Sequence, residues 1–318
     1  MTHTANQLIA VLVEKFSYSF SGYELETGKR LFSARLPDYP HEFAVSPDHK
    51  YAYVGHYGVQ TWMHHGSGGH QVCMIDLERG EYIGNLECTP FNRIHGIQVD
   101  QHHRVYALSE EANTVLVFEQ PQASVLPTRA VPVGGLKSHL MVATQNGERV
   151  YCMNMLSHTA TLVHPYDATK APVAVNAGLK PEGCCLNQDE KILYVASRGE
   201  NTLFKIDALT MQVLDQVPTG DDPTRIYLSR DQKLYITHYG DESSIGIYDP
   251  ETLKELHRIP TEHKPIALAF HPVLDEAFIP LNNNTVIRLD LNTHMIQHAF
   301  DTGLEPDGLV ILSRTTAV

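Results

Sequence analysis

The sequence predicts an all-β fold, a seven-bladed β-propeller closed by its two termini. Three observations predict it: a short strand pattern repeats along the whole chain, no stretch carries sustained helical periodicity, and the last copy is incomplete in a way the first residues can complete. Seven segments share a turn followed by a small apolar strand: HEFAVSPD (41–48), HGIQVDQH (95–102), HLMVATQN (139–146), EGCCLNQD (182–189), TRIYLSRD (224–231), IALAFHPV (266–273) and DGLVILSR (307–314). Six of these are followed by a second strand, YAYVGH, RVYALS, RVYCMN, ILYVAS, KLYITH and EAFIPL, and then by a third, such as HQVCMID, NTVLVFE or NTLFKID. The period is roughly 40 to 45 residues with three or four short strands in each copy, the spacing of propeller blades.

The seventh inner strand has no companions before the chain reaches Val318, but LIAVLVEKF and FSGYELETGKRLFS near the other terminus fit the missing second to fourth strands. One propeller domain over 1–318 is therefore expected, its last blade shared between about 7–35 and 305–318. Such closure removes the exposed edges that are a liability in all-β folds. A prior of roughly 150 residues per domain would suggest two domains, but propellers exceed that as one unit.

Composition narrows the partners. With 42% hydrophobic and 19% charged residues the chain has ordinary soluble composition. A net charge of −13 with 24 Lys and Arg argues against nucleic acid and anionic membranes, which need a basic face. The apolar run in MTHTANQLIAVLVEKF has no basic segment before it and no small-residue cleavage site after it, so it is expected to be a strand rather than a leader. Cys73, Cys88, Cys152, Cys184 and Cys185 are odd in number and lack CxxC spacing, which points to reduced thiols and a cytoplasmic location. A closed propeller needs no oligomer.

Segments such as LYVASRGENTLFKIDALT and LYITHYGDESSIGIYDPETL resemble the YVTN-repeat and lactonase-type seven-bladed propellers, over nearly the whole chain. The resemblance implies the fold and favours lactone hydrolysis. The same architecture also carries lyases and non-catalytic scaffolds.

In a propeller the innermost strands line the central channel, so equivalent positions form a ring. The first position of each inner strand reads His41, His95, His139, Glu182, Thr224, Ile266, Asp307. Three imidazoles and a carboxylate in four consecutive blades suit a divalent transition metal, Mn, Fe or Zn foremost, rather than Ca or Mg. The set is similar to the three histidines and fourth side chain around manganese in some pectin-fragment lyases, with Glu182 here as the fourth member. Glu42 follows His41 and is expected to point off the axis, because side chains alternate along a strand.

Two residues earlier the column reads Tyr39, Arg93, Lys137, Lys180, Asp222, Lys264, Glu305, which implies a positive collar able to attract a small anionic substrate. The ends of the second strands give His56, Ser109, Asn154, Ser197, His238 and Leu281, and HYG occurs after two of them. His56 and His238 are the candidate general base and acid. Arg93, Lys137, Lys180, Arg198, Arg225 and Asn154 are candidate substrate-binding residues. An insertion in the first blade, about 59–71, contains VQTWMHHGSGGH and places Trp62 as a candidate lid residue that stacks on substrate. No G-x-S-x-G elbow, P-loop, dinucleotide fingerprint or HExxH occurs.

These features lead to a metal-dependent enzyme acting in the channel on a small anionic sugar acid or lactone. The alternatives are a metal-dependent lyase or isomerase acting next to a carboxylate, and a non-catalytic propeller that binds a ligand or protein.

Overall fold

The computed structural model describes residues 4–317 and contains seven four-stranded antiparallel sheets, the expected seven-bladed propeller. The inner strands of the first five blades are Pro40–Val45, Ile94–Val99, Ser138–Ala143, Pro181–Leu186 and Pro223–Leu228. The sixth inner strand is short, Ala269–Phe270. The seventh, Pro306–Ala317, pairs with Thr4–Glu14, which pairs with Ser19–Glu24, which pairs in turn with Arg30–Arg35. The two ends of the chain therefore share one sheet, and its buried carboxylate, Glu14, accepts hydrogen bonds from Ser19, Ser21, Tyr23 and the Gly303 amide.

The apolar side chains explain the ring. Second and third strands such as Val105–Ser109 and Thr114–Phe118 are buried at every position, whereas outer strands such as Val213–Pro218 are mostly exposed. Both faces of a middle strand meet a neighbouring blade, so alternation gives way to continuous Val, Leu, Ile and Tyr runs. Among the described residues seven apolar clusters form, one at each interface between successive blades; Tyr53, Leu86, Ile97, Leu116 and Phe118, for example, seal the first blade to the second. Each large side chain so buried contributes about 1.5–3 kcal/mol. Because the hydrophobic material sits between blades, the axis is left to polar side chains.

Candidate functional site

A repeated irregularity of the inner strands aims side chains at the axis. In six blades the pairing of the inner strand with its neighbour shifts at the ring position: between Pro40 and Phe43, Ile94 and Ile97, Ser138 and Leu140, Pro181 and Cys184, Pro223 and Arg225, and between Leu12 and Glu14 opposite Asp307. These are β-bulges, which leave a residue unpaired, bend the strand and re-aim its side chain. His41, His95, His139, Glu182, Thr224 and Asp307 are the residues so turned.

Three histidines stack along one wall. The rings of His95 and His139 lie 3.7 Å apart with an interplanar angle of 28°, and His41 follows 5.1 Å from His95. His95 Nδ1 donates to the His139 carbonyl at 3.0 Å. His139 Nδ1 donates to Glu110 Oε2 at 2.5 Å. Glu110 is 1% exposed and also accepts from the Tyr57 hydroxyl at 2.7 Å and pairs with Lys137 at 2.6 Å. Burial alone would raise the Glu110 carboxyl, but the bonds and charges of His139, His95 and Lys137 outweigh it and hold it at about 2. Burial pushes His41 and His95 well below the usual imidazole range, with neighbouring positive groups adding to it, so both rings are neutral at pH 7.

The opposite wall is an ion-pair cluster. Glu182 accepts from Arg198 Nη1 at 2.6 Å and from Arg225 Nη1 at 2.6 Å, one bond to each oxygen. Arg198 also makes a two-point contact with Asp222, at 2.7 and 2.8 Å. Arg225 reaches across the channel to Glu42 at 2.5 Å. Gly183 makes room for this: a Cβ there would lie 2.8 Å from the Arg225 Cα and from the Thr224 carbonyl oxygen. The expectation that Glu42 points away from the axis fails, because the bulge interrupts the alternation on which it rested.

Between the two walls lies a pocket of about 240 Å³, lined by His41, His95, His139, Glu182, Arg198, Arg225 and Asp307, with Lys15, Tyr239 and Glu305 at its side. Gln60, Thr61, Trp62 and Met63 of the first-blade insertion complete the lining. Trp62 lies under the Lys180 ammonium, 5.3 Å from ring centre to nitrogen. Arg93 donates to the carbonyls of His64 and Gly66 at 2.6 and 3.0 Å and so fastens the insertion. Gly68, at φ +73°, lets it pack closely; a Cβ there would meet Arg93 Cγ at 2.4 Å and the Tyr57 carbonyl oxygen at 2.6 Å.

The pocket thus gathers His41, His95, His139, Glu182, Arg198, Arg225 and Trp62 and leaves the other sequence candidates out. His238 is fully buried, takes the Gly220 amide on Nε2 and donates Nδ1 to Ser244, and burial lowers it to about 4. His56 holds Asp38 at 3.1 Å and does not line the pocket. Asn154 bonds Ser138, Thr159 and Thr161. Arg93 and Lys137 turn to Glu110, and Arg198 to Glu182 and Asp222, so much of the expected positive collar is paired with acids. The column that meets the ring is one residue further on than the strand ends: Arg198, Tyr239 and, in the blade built from the N terminus, Lys15 line the pocket, while Tyr57 and Glu110 lie against His41 and His139. A one-residue step moves a side chain to the other face of a sheet, and the recurrence of Tyr in the two HYG motifs was the available signal.

Of the four ring residues expected to hold a metal, Glu182 is committed to two guanidiniums. Both Glu182 oxygens already accept guanidinium hydrogens. Among the described residues no three His, Cys, Asp or Glu side chains converge as ligands. Glu182→Gln is therefore expected to leave the metal content of protein purified without chelator unchanged; one equivalent of Mn, Fe or Zn lost in this variant would restore the four-ligand site.

The same groups set a pH dependence. His41 and His95 stay neutral in the fold but protonate when unfolded, so stability falls as the pH drops below about 6.5, by up to about 1.4 kcal/mol per pH unit for each ring. Glu110, held low, adds a further loss as the pH falls from about 4.5 toward 2. Urea unfolding at pH 7, 6 and 5 measures this, and His41→Gln should flatten the upper part. Equal stability at pH 7 and 5 would contradict the assignment.

No protein-family model and no curated protein matches the sequence. Solved structures do match the fold. A functionally unknown protein from Desulfotomaculum acetoxidans superposes with a TM-score of 0.77 at 14% identity, covering 96% of this chain and 98% of that one. A Bacteroides uniformis protein carrying the provisional name 6-phosphogluconolactonase gives 0.76 at 15% identity, over 96% and 100%. The periplasmic gluconolactonase of Pseudomonas aeruginosa gives 0.74 at 14% identity, over 98% and 100%. At these identities the likeness is one of fold.

Proposed function

We propose that the chain hydrolyses a small sugar lactone in the axial pocket, with His139 as general base. The observation that carries this reading is the Glu110–His139 pair on the wall of a small polar pocket, facing the Arg198 and Arg225 guanidiniums. Glu110 fixes the proton on Nδ1, which leaves Nε2 free to accept one. His139 Nε2 takes a proton from water as the water oxygen adds to the lactone carbonyl carbon. The guanidiniums lie near the negative charge that develops on the carbonyl oxygen. The ring C–O bond then breaks, the proton passes from His139 to the leaving ring oxygen, and the hydroxy acid loses its carboxyl proton to solvent. Two structural neighbours bear lactonase names, which supports the choice of reaction. Five free cysteines suit a reducing, cytoplasmic setting.

A second reading uses the same base. A guanidinium beside a general base also suits proton removal next to a carboxylate, which ends in β-elimination. The test is acid release from D-glucono-1,5-lactone above its spontaneous rate, run beside a uronate assay that reports a new conjugated double bond. Lactone turnover supports hydrolysis, the double bond alone supports elimination, and neither supports a binding propeller.

A further inference from the structure

Two buried polar atoms of the pocket have no hydrogen-bond partner among the described residues: Nε2 of His41 and Oδ1 of Asp307. Both side chains line the pocket, and they are only 7% and 4% exposed. They are neighbours, with His41 Nδ1 3.8 Å from Asp307 Oδ2, too far for a direct bond. Lys15 stands 3.4 Å from the same Oδ2 and leaves Oδ1 unengaged. A buried acceptor without a donor keeps its desolvation cost uncompensated. The other carboxylates beside the pocket are satisfied, Glu182 by two arginines and Glu110 by His139, Tyr57 and Lys137. Among the described residues, the carboxylate of the pocket that keeps a buried unpartnered oxygen is Asp307.

The chemistry of the open atoms selects the ligand. An ionised carboxylate only accepts, so its partner brings an O–H or N–H. Lys15 already places a cation beside Asp307, which disfavours a second one and favours a hydroxyl. His41, kept neutral, has a ring nitrogen to engage a second hydroxyl next to the first. We infer that Asp307, His41 and Lys15 form a hydroxyl-binding subsite, and that the pocket takes a polyhydroxylated acid or lactone with neighbouring hydroxyls on this side and its carbonyl end toward His139. This deepens the hydrolase reading and rests on it for the reaction but not for the binding.

Calorimetric binding of gluconate and glucuronate, against hexanoate and cyclohexanecarboxylate, tests the subsite. The hydroxylated acids should bind at least about 10²-fold more tightly, because a site built around polar groups rejects analogues that leave them unpaired. Asp307→Leu should remove about tenfold or more of that preference, and Asp307→Asn, which retains an acceptor oxygen, should keep part of it. Thermal unfolding shows whether each variant is folded, and His41→Leu replaces Asp307→Leu if the latter is not. Equal binding of the two classes, binding of neither, or a loss that falls equally on both would overturn the inference. Lactone turnover separates the two readings. Preferential binding without turnover leaves the subsite standing and removes the hydrolase. Equal turnover of D-glucono-1,5-lactone and the unhydroxylated δ-valerolactone keeps the hydrolase and overturns the subsite.

Discussion

Replacing His139 with glutamine is expected to lower kcat on a sugar lactone by about 10²- to 10⁴-fold, the usual contribution of a positioned acid–base group. Glutamine keeps a polar head near Glu110 but cannot carry a proton through the reaction. KM should change little, because the ligand's hydroxyls and carbonyl are held elsewhere. Glu110→Gln should act differently. It removes the charge that stabilises an imidazolium at His139 and the acceptor that fixes its tautomer. Its kcat should fall less, and the acidic limb of the pH–rate profile should move to lower pH, since without the carboxylate the imidazolium form of the base is less stabilised. A structural role for Glu110 would lower the folded fraction without moving that limb. A fully active His139→Gln variant would remove the mechanism outright.

The fold was legible because a propeller repeats its instructions. The copies share a turn and an inner strand, five of the seven carry a tyrosine-bearing second strand, and the interblade clusters follow from the apolar runs of the second and third strands. The ring column was legible for the same reason: equivalent positions in a cyclic fold share an axis. What the repeat could not show is where the pleat breaks. Strand alternation points Glu42 off the axis, yet a bulge absent from any period-two pattern brings it to Arg225, 183 positions away.

The proton-transfer candidates failed by one residue. Counting to the end of each second strand selected His56 and His238, whose side chains turn into their own blades, where His238 meets Ser244 and the Gly220 amide. The next residue is the one that meets the ring histidines, and it supplies Tyr57 and Glu110. Charge was misread for a different reason. Arg93, Lys137 and Lys180 are visible as a basic column, but Lys137 and Arg93 converge on a single buried acid, and Lys180 covers Trp62. Partners contributed by separate blades leave no local trace in the sequence.

Replacing Arg225 with methionine is expected to destabilise the fold by about 3–5 kcal/mol, the penalty for removing one partner of a buried ion pair. Among the described residues Arg225 is the one hydrogen-bond partner across the channel for Glu42 and one of two arginines on Glu182, and its side chain is 14% exposed. Methionine fills similar volume, so little of the loss comes from a cavity. The cost arises because two carboxylates remain in the channel, with Asp307 nearby. Adding Glu42→Gln and Glu182→Gln to Arg225→Met should recover most of the stability, since a neutral cluster no longer holds uncompensated charge. The comparison is made by urea unfolding at pH 7, where both acids matter. A loss under about 1 kcal/mol, as found for exposed pairs, would mean that solvent screens the cluster and that the pocket is wetter than its burial implies. A large loss with no recovery in the triple variant would mean that Arg225 acts through packing of its side chain rather than through its charge.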